Sequence, residues 1–159
     1  MADQKISELT ALSALPATND YFVVLDTDAS ATKKVAANYL YHDWASHTAT
    51  VTASSGAITT ASASNRYFTL HGKTRFLQGL VYITDKGTGA GNLRVTIPSG
   101  APATFMGGLW SGWGRSSIGA VVVTLAAGGS YMDILLYDNS TTVIADGVSV
   151  SYGIIYELA

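Results

Sequence analysis

The sequence predicts a mainly β protein: a jelly-roll-like antiparallel β-sandwich preceded by a small N-terminal module of arm, hairpin and helix. Three observations predict it. Val148, Val150, Tyr152, Ile154 and Tyr156 alternate with Ser149, Ser151 and Gly153, the period-two pattern that turns one face of a strand toward a core. Six further runs rich in β-branched and aromatic residues occupy 66–71, 74–84, 92–97, 103–109, 120–125 and 130–137. Turn residues separate these runs about every ten positions, the spacing of sandwich and barrel strands.

Taken in order, Ile6, Leu9, Leu12 and Leu15 recur every third residue until Pro16, which suits one or two loose helical turns or an extended arm. Residues 21–25 are a short β-branched and aromatic run, hence a strand. Thr27, Asp28, Ala29 and Ser30 supply turn chemistry, and 32–35 return as a second strand of a small hairpin. Residues 36–46 read as a helix, with Tyr39, Leu40 and Trp44 spread around it. Between His47 and Ala63 the composition shifts to Thr, Ser and Ala with Gly56, a linker or an edge strand covering little core. The organisation expected is therefore an N-terminal attachment arm over 1–46, a linker or edge strand over 47–64 and a β-sandwich over 65–159. Within the last, 71–73 and 138–140 are tight turns, while 86–91 and 111–117 are longer Gly-rich loops.

Composition narrows the function. Of 159 residues, 48% are hydrophobic and only 13% charged, about half the usual charged fraction of roughly 25%. So bare a surface implies cover by partner subunits, and the apolar positions Val121, Val123 and Leu125 are the expected subunit contact. A net charge of −2 offers no basic stripe for phosphates, so no nucleic acid is expected to bind. Without cysteine there is no disulfide framework or thiolate metal site. The start of the chain carries no basic segment followed by an apolar one. The uncharged run 116–132 is broken by Gly119, Gly128 and Gly129, so no membrane association is expected. The expectation is a soluble, unsecreted protein.

Motifs that suggest chemistry fail on their context. Gly87-Thr88-Gly89-Ala90-Gly91 precedes a strand, whereas a phosphate cradle must open a helix; a hairpin loop with glycines at positive φ is expected. Gly72-Lys73-Thr74 lacks the earlier P-loop glycine, its place being taken by Tyr67. Asp26, Asp28 and Ser30 begin like a calcium loop, but Ala31 and Ala37 stand where glycine and glutamate are required. His42, His47 and His71 are not spaced for a metal. Asp85, Asp138 and Asp146 sit at turns, where carboxylates bond backbone, and no Gly-x-Ser-x-Gly elbow occurs. The chain therefore reads as a non-enzyme without cofactor or metal. Trp110-Ser111-Gly112-Trp113-Gly114-Arg115 suits either an exposed aromatic platform for glycans or packing at a sandwich end or subunit interface. The second is favoured, because Trp is enriched there.

Two regions carry a family resemblance. Lys5-Ile6-Ser7-Glu8-Leu9, the run ending at Asp26, Thr32-Lys33-Lys34-Val35 and Leu40 resemble the N-terminal attachment module of tailed-phage virion proteins. Gly72-Lys73, Ile83-Thr84-Asp85-Lys86-Gly87-Thr88-Gly89-Ala90-Gly91-Asn92-Leu93, Ile97-Pro98 and the closing Ser151-Tyr152-Gly153-Ile154-Ile155-Tyr156-Glu157 are similar to a β-sandwich of tail-fibre tips and decoration proteins. The family usually places small or polar residues where this chain has Trp110 to Arg115. The resemblance implies a homotrimeric structural protein on the outer capsid surface of a virion. Its attachment residues would be Ile6, Leu9, Leu12, Leu15, Lys33, Lys34 and Val35. The arm cannot bury its aliphatic side chains within itself, leaving them to cover a partner at about 25 cal/mol per Å². The leading expectation is a capsid decoration (cement) protein bound to the major capsid protein. The alternative is a short tail-fibre or receptor-binding tip contacting host surface glycans. The short interval between the two modules favours the first, because a fibre needs a shaft.

Overall fold

A computed structural model describes residues 21–26, 31–36, 44–70, 73–100, 102–103, 109–138 and 142–159. The chain divides into two compact units, Met1–His42 and Asp43–Ala159. In the first, β1 (Tyr21–Asp26) and β2 (Ala31–Ala36) pair antiparallel, with Tyr21 opposite Ala36 and Asp26 opposite Ala31. The expected arm over Ile6 to Leu15 and the turn between the two strands lie outside the described residues. The expected helix over 36–46 meets strand at both ends: Ala36 closes β2, and Ala45 and Ser46 begin β3. Residues 37–43 lie outside the described residues.

The second unit is built on one antiparallel sheet. Its strands are β3 (Ala45–His47), β4 (Val51–Ser55), β5 (Thr60–Leu70), β6 (Thr74–Asp85), β7 (Ala90–Thr96), β8 (Leu109–Ser116), β9 (Gly119–Ala126), β10 (Tyr131–Leu136) and β11 (Val148–Glu157). They run in the order β3-β5-β6-β11-β8-β9-β10-β7-β4. The two edge strands, β3 and β4, are neighbours in sequence. Laid flat, the edges of nine strands would stand roughly 38 Å apart. The four Cα steps from His47 to Val51 span at most about 15 Å. The sheet must therefore curl until its edges nearly meet. Thr96 fastens that corner: its N–H donates to Thr50 O at 3.1 Å, its hydroxyl accepts from Thr50 N at 2.8 Å, and its carbonyl lies 3.0 Å from His47 Nε2.

Curling gives the sheet an inner and an outer face, and period two sorts the side chains between them. The inner face collects Leu77, Val81 and Ile83 from β6, Leu93 and Val95 from β7, and Val121, Val123 and Leu125 from β9. It also takes Met132, Ile134 and Leu136 from β10 and the whole alternating set from Val148 to Tyr156 of β11. Val143 and Ile144, before β11, complete this core. Stretch 47–64 holds the end of β3, all of β4 and the first part of β5, with Val51, Ala53, Ala61 and Ala63 packed partly against the core.

Two expectations are corrected. Residues 86–89 do not close a hairpin: β6 pairs with β5 and β11, and β7 with β10 and β4, so this connection carries the chain between distant strands. Gly87 (φ 55°) and Gly91 (φ 74°) do hold positive φ. Stretch 111–117, expected as a Gly-rich loop, belongs to strand β8, whose range starts at Leu109. Gly112 and Gly114 point inward there, and a Cβ on either would press into β11, against Gly153 O and Ser151 O respectively. These glycines permit close strand packing rather than a turn.

Candidate functional site

The buried polar groups serve the scaffold. Asn65 on β5 and Tyr152 on β11 both stand opposite Gly79 of the intervening β6. With no side chain between them, the Tyr152 hydroxyl donates to Asn65 Oδ1 at 2.6 Å. Burial pushes the Tyr152 phenol well above the usual tyrosine range, and the Asn65 contact offsets this in part. Burial likewise raises Tyr156, countered by the nearby Arg75 guanidinium; its hydroxyl has no partner in hydrogen-bonding geometry. Arg75, 8% exposed, donates through Nη1 to Pro98 O (3.3 Å) and Ser99 O (2.6 Å) and through Nε to Thr69 Oγ1 (3.2 Å). Its guanidinium lies 4.8 Å from the Tyr67 ring centroid. Ser116 donates to Gly119 O within the β8–β9 turn. Apart from the Tyr156 hydroxyl, each group fixes an element.

The turn carboxylates behave similarly. Asp85 Oδ1 accepts from Gly87 N at 2.9 Å and Asp146 Oδ1 from Lys86 N at 2.7 Å. Among the described residues no group of three or more His, Asp or Glu side chains could hold a metal. His42 and His71 lie outside them.

The outer face is different in kind. Leu80 (49% exposed), Tyr82 (44%), Trp113 (71%) and Ile155 (42%) project from β6, β8 and β11, the three adjacent strands at the middle of the sheet. Between the walls formed by β6 and β8, β11 presents outward only Ser149, Ser151 and Gly153 before Ile155. Register sets these into rungs: Tyr82 beside Ser149, then Leu80–Ser151–Arg115, then Gln78–Gly153–Trp113. Side chains stand roughly perpendicular to a sheet, so large residues flank a shallow trough floored by hydroxyls and a glycine. Past Trp113 the last rung continues over Val122 and Leu135. At one end Ile155 stands opposite Phe76, which stacks on Phe68 at 4.6 Å, and Phe68 meets Trp44 edge-on at 4.8 Å.

The expected site residues are placed as follows. Trp110 and Trp113, three apart on one strand, face opposite ways. Trp110 packs against the core and donates Nε1 to Ala103 O at 3.1 Å, while Trp113 is exposed on the outer face. Val121, Val123 and Leu125, expected at a trimer contact, are instead 3%, 0% and 0% exposed inside the sheet's own core. The alternate positions of β9, Val122 and Thr124, are those turned outward. Lys33, Lys34 and Val35 are in β2, opposite Val24, Val23 and Phe22. Ile6, Leu9, Leu12 and Leu15 lie outside the described residues. Sequence reasoning missed Leu80, Tyr82, Ser149 and Ser151 as sharing a face with Trp113. The signal was the outward half of the β6 and β11 alternation, which becomes a surface only once the two strands are known to pair.

Compared with protein-family models, curated proteins and solved structures, the chain matches none.

Proposed function

We propose that this chain is a structural virion protein: a homotrimeric capsid decoration (cement) protein that binds the major capsid protein at the outer capsid surface. In this reading the curled sheet is the jelly-roll-like sandwich of such proteins, and the first unit is the attachment module. Ile6, Leu9, Leu12 and Leu15, with Lys33, Lys34 and Val35, contact the capsid. No catalytic residue or cofactor is assigned. The observation that supports an assembly role is the contrast between the two faces of the sheet. The inner face is sealed with aliphatic side chains, whereas Leu80, Tyr82, Trp113 and Ile155 stand in solvent on the outer one, and exposed apolar groups of this size mark contact surfaces. The trimer contact moves from the buried valines to outward positions such as Val122.

The test is to mix purified protein with undecorated capsids and measure what pellets with them. Full-length protein is expected to co-sediment, and a form lacking residues 1–40 to remain in the supernatant. Equal retention of the truncated form sinks the attachment assignment. Sedimentation of the free protein as a stable monomer at micromolar concentration sinks the trimer.

A second reading, a short tail-fibre or receptor-binding tip touching host surface glycans, is favoured by one observation. Trp113, with 71% of its surface free, is the most exposed tryptophan among the described residues and stands across from Gly153, which leaves its flank open. Copy number in purified virions separates the two, being far higher for a capsid component than for a tail part.

A further inference from the structure

We propose that the outer trough over β11 binds a short, linear, carboxylated saccharide, with Trp113 and Tyr82 as stacking walls and Arg115 as the carboxylate anchor. The inference rests on the outer face being a contact surface, not on whether the chain is mounted on a head or a tail.

Width comes first. The trough's walls, β6 and β8, are each one strand spacing from β11, so their backbones stand roughly 9.6 Å apart. A helix, about 10–12 Å across with its side chains, does not enter. An extended peptide laid on a sheet face finds no backbone partners for its N–H and C=O groups, which are satisfied only at a sheet edge. The floor residues from Ser149 to Gly153 cover roughly 14 Å along the strand, room for several sugar rings in line.

Chemistry selects the same class. A sugar ring has an apolar C–H face and a hydroxyl rim. The C–H face suits the electron-rich face of Trp113 or Tyr82, and the rim suits the hydroxyls of Ser149 and Ser151. The Ser151 hydroxyl already donates to Arg115 O at 3.2 Å and keeps only its lone pairs for a ligand. An apolar protein face pressed here would therefore strand the Ser149 hydroxyl and the Arg115 guanidinium at a cost in desolvation, which argues against a second copy of the chain as occupant. Charge then narrows the sugar. Arg115 is exposed and, among the described residues, makes no ion pair or side-chain hydrogen bond. Arg66 stands on the next strand out, opposite Gln78. The outward carboxylate of β11, Glu157, lies four residues beyond Gly153, roughly 14 Å away. At the other end Asp85 and Asp146 accept from the Gly87 and Lys86 backbone N–H groups. The rungs between thus carry one guanidinium and no carboxylate in a chain of net charge −2, and a guanidinium grips a carboxylate bidentately. Arg115 also lines a recess of about 560 Å³ at the β8–β9 turn, which leaves space around its side chain.

The experiment is calorimetry on the full chain with linear tetrasaccharides of uronate and of sialate. Maltotetraose is the uncharged control and a hexathymidylate the non-saccharide polyanion. At least one carboxylated tetramer is expected to bind, more tightly than maltotetraose and the oligonucleotide. Trp113→Ala should weaken it about tenfold or more, Trp113→Phe should recover part of that, and Arg115→Gln should remove the preference for the carboxylated sugar. All three variants should melt as the parent does. Failure of every carboxylated tetramer to bind, unchanged affinity in Trp113→Ala, or equal binding of the hexathymidylate overturns the proposal. Capsid pelleting is scored separately, so loss of sugar binding with intact co-sedimentation rejects this inference alone.

Discussion

Tyr152 and Asn65 are 87 residues apart in sequence and join through a 2.6 Å hydrogen bond across the strand that separates them. The bond exists because Gly79, paired with both, contributes no side chain. A Cβ at position 79 would lie 2.5 Å from the Tyr152 hydroxyl oxygen and closer still to Asn65 Oδ1. Gly79→Ala is therefore expected to cost about 2–4 kcal/mol, combining overpacking with a disrupted buried hydrogen bond. Tyr152→Phe, which only strands the Asn65 oxygen, should cost about 1–3 kcal/mol. Urea unfolding of the two variants checks the ranking, and a Gly79→Ala protein as stable as the parent would remove the geometric argument.

The same tyrosine makes stability depend on alkaline pH. Tyr152 and Tyr156 are held neutral by burial, so their folded pKa values lie above the unfolded one. Above about pH 10 the unfolded chain sheds these protons while the folded chain keeps them. The folded state then binds more protons, and unfolding free energy must fall as pH rises. The contribution is complete below pH 10 and declines above it by up to about 1.4 kcal/mol per pH unit for each tyrosine. Denaturant melts at pH 8, 10 and 11 should show this decline, and Tyr152→Phe should make it shallower. An identical slope in both proteins would exclude Tyr152 as a source.

Arg75 ties the start of β6 to Pro98 and Ser99. Arg75→Met leaves those carbonyls without their donor, with an expected loss of about 2–3 kcal/mol and faster proteolysis within 97–100. Arg75→Lys should not restore the parent, because one ammonium cannot reproduce the planar fork that serves Thr69, Pro98 and Ser99 together. Full rescue by lysine would show that charge alone matters there.

Burial on β9 gives a contrast within two adjacent residues. Val123→Ala empties a site with no exposure and should cost about 2 kcal/mol. Val122→Ala on the outer face should change monomer stability by less than about 0.5 kcal/mol. Thermal melts at several protein concentrations separate the two effects. A concentration-dependent loss confined to Val122→Ala would place it in the subunit contact.

Deleting residues 1–42 should leave Asp43–Ala159 cooperatively folded, because that unit is compact by itself and its core draws on β6, β7, β9, β10 and β11. Circular dichroism and a single sharp melt check this. Loss of the transition would mean that the first unit completes the core.

What the sequence revealed follows from how local each signal is. β11 is written in strict alternation from Val148 to Tyr156, and the strand runs from Val148 to Glu157. β6, β9 and β10 likewise fall within a residue or so of their hydrophobic runs. β8 was hidden because Gly112 and Gly114 resemble loop residues until β11 is known to lie against them. The valines of β9 were legible as apolar, but burial in a core and burial in an interface leave the same pattern in a chain. The trough was illegible for a related reason. Tyr82, Ser151 and Trp113 share a surface only through strand register, which no local pattern encodes.

The place of β11 also bears on how the molecule is born. β11 lies between β6 and β8, yet every other strand of the sheet precedes it along the chain. About sixty residues separate the end of β6 from its start, a delay of roughly 3–12 s at a ribosome. Throughout that interval one side of β6 offers a bare hydrogen-bonding edge, and one side of β8 does so over the latter half of it, the hazard that finished sheets suppress. On crowded polysomes two nascent copies meet with those edges open, and an interrupted synthesis leaves two half-sheets joined only at the Thr96 corner. The keystone is laid last, so the arch needs scaffolding until its final course is set.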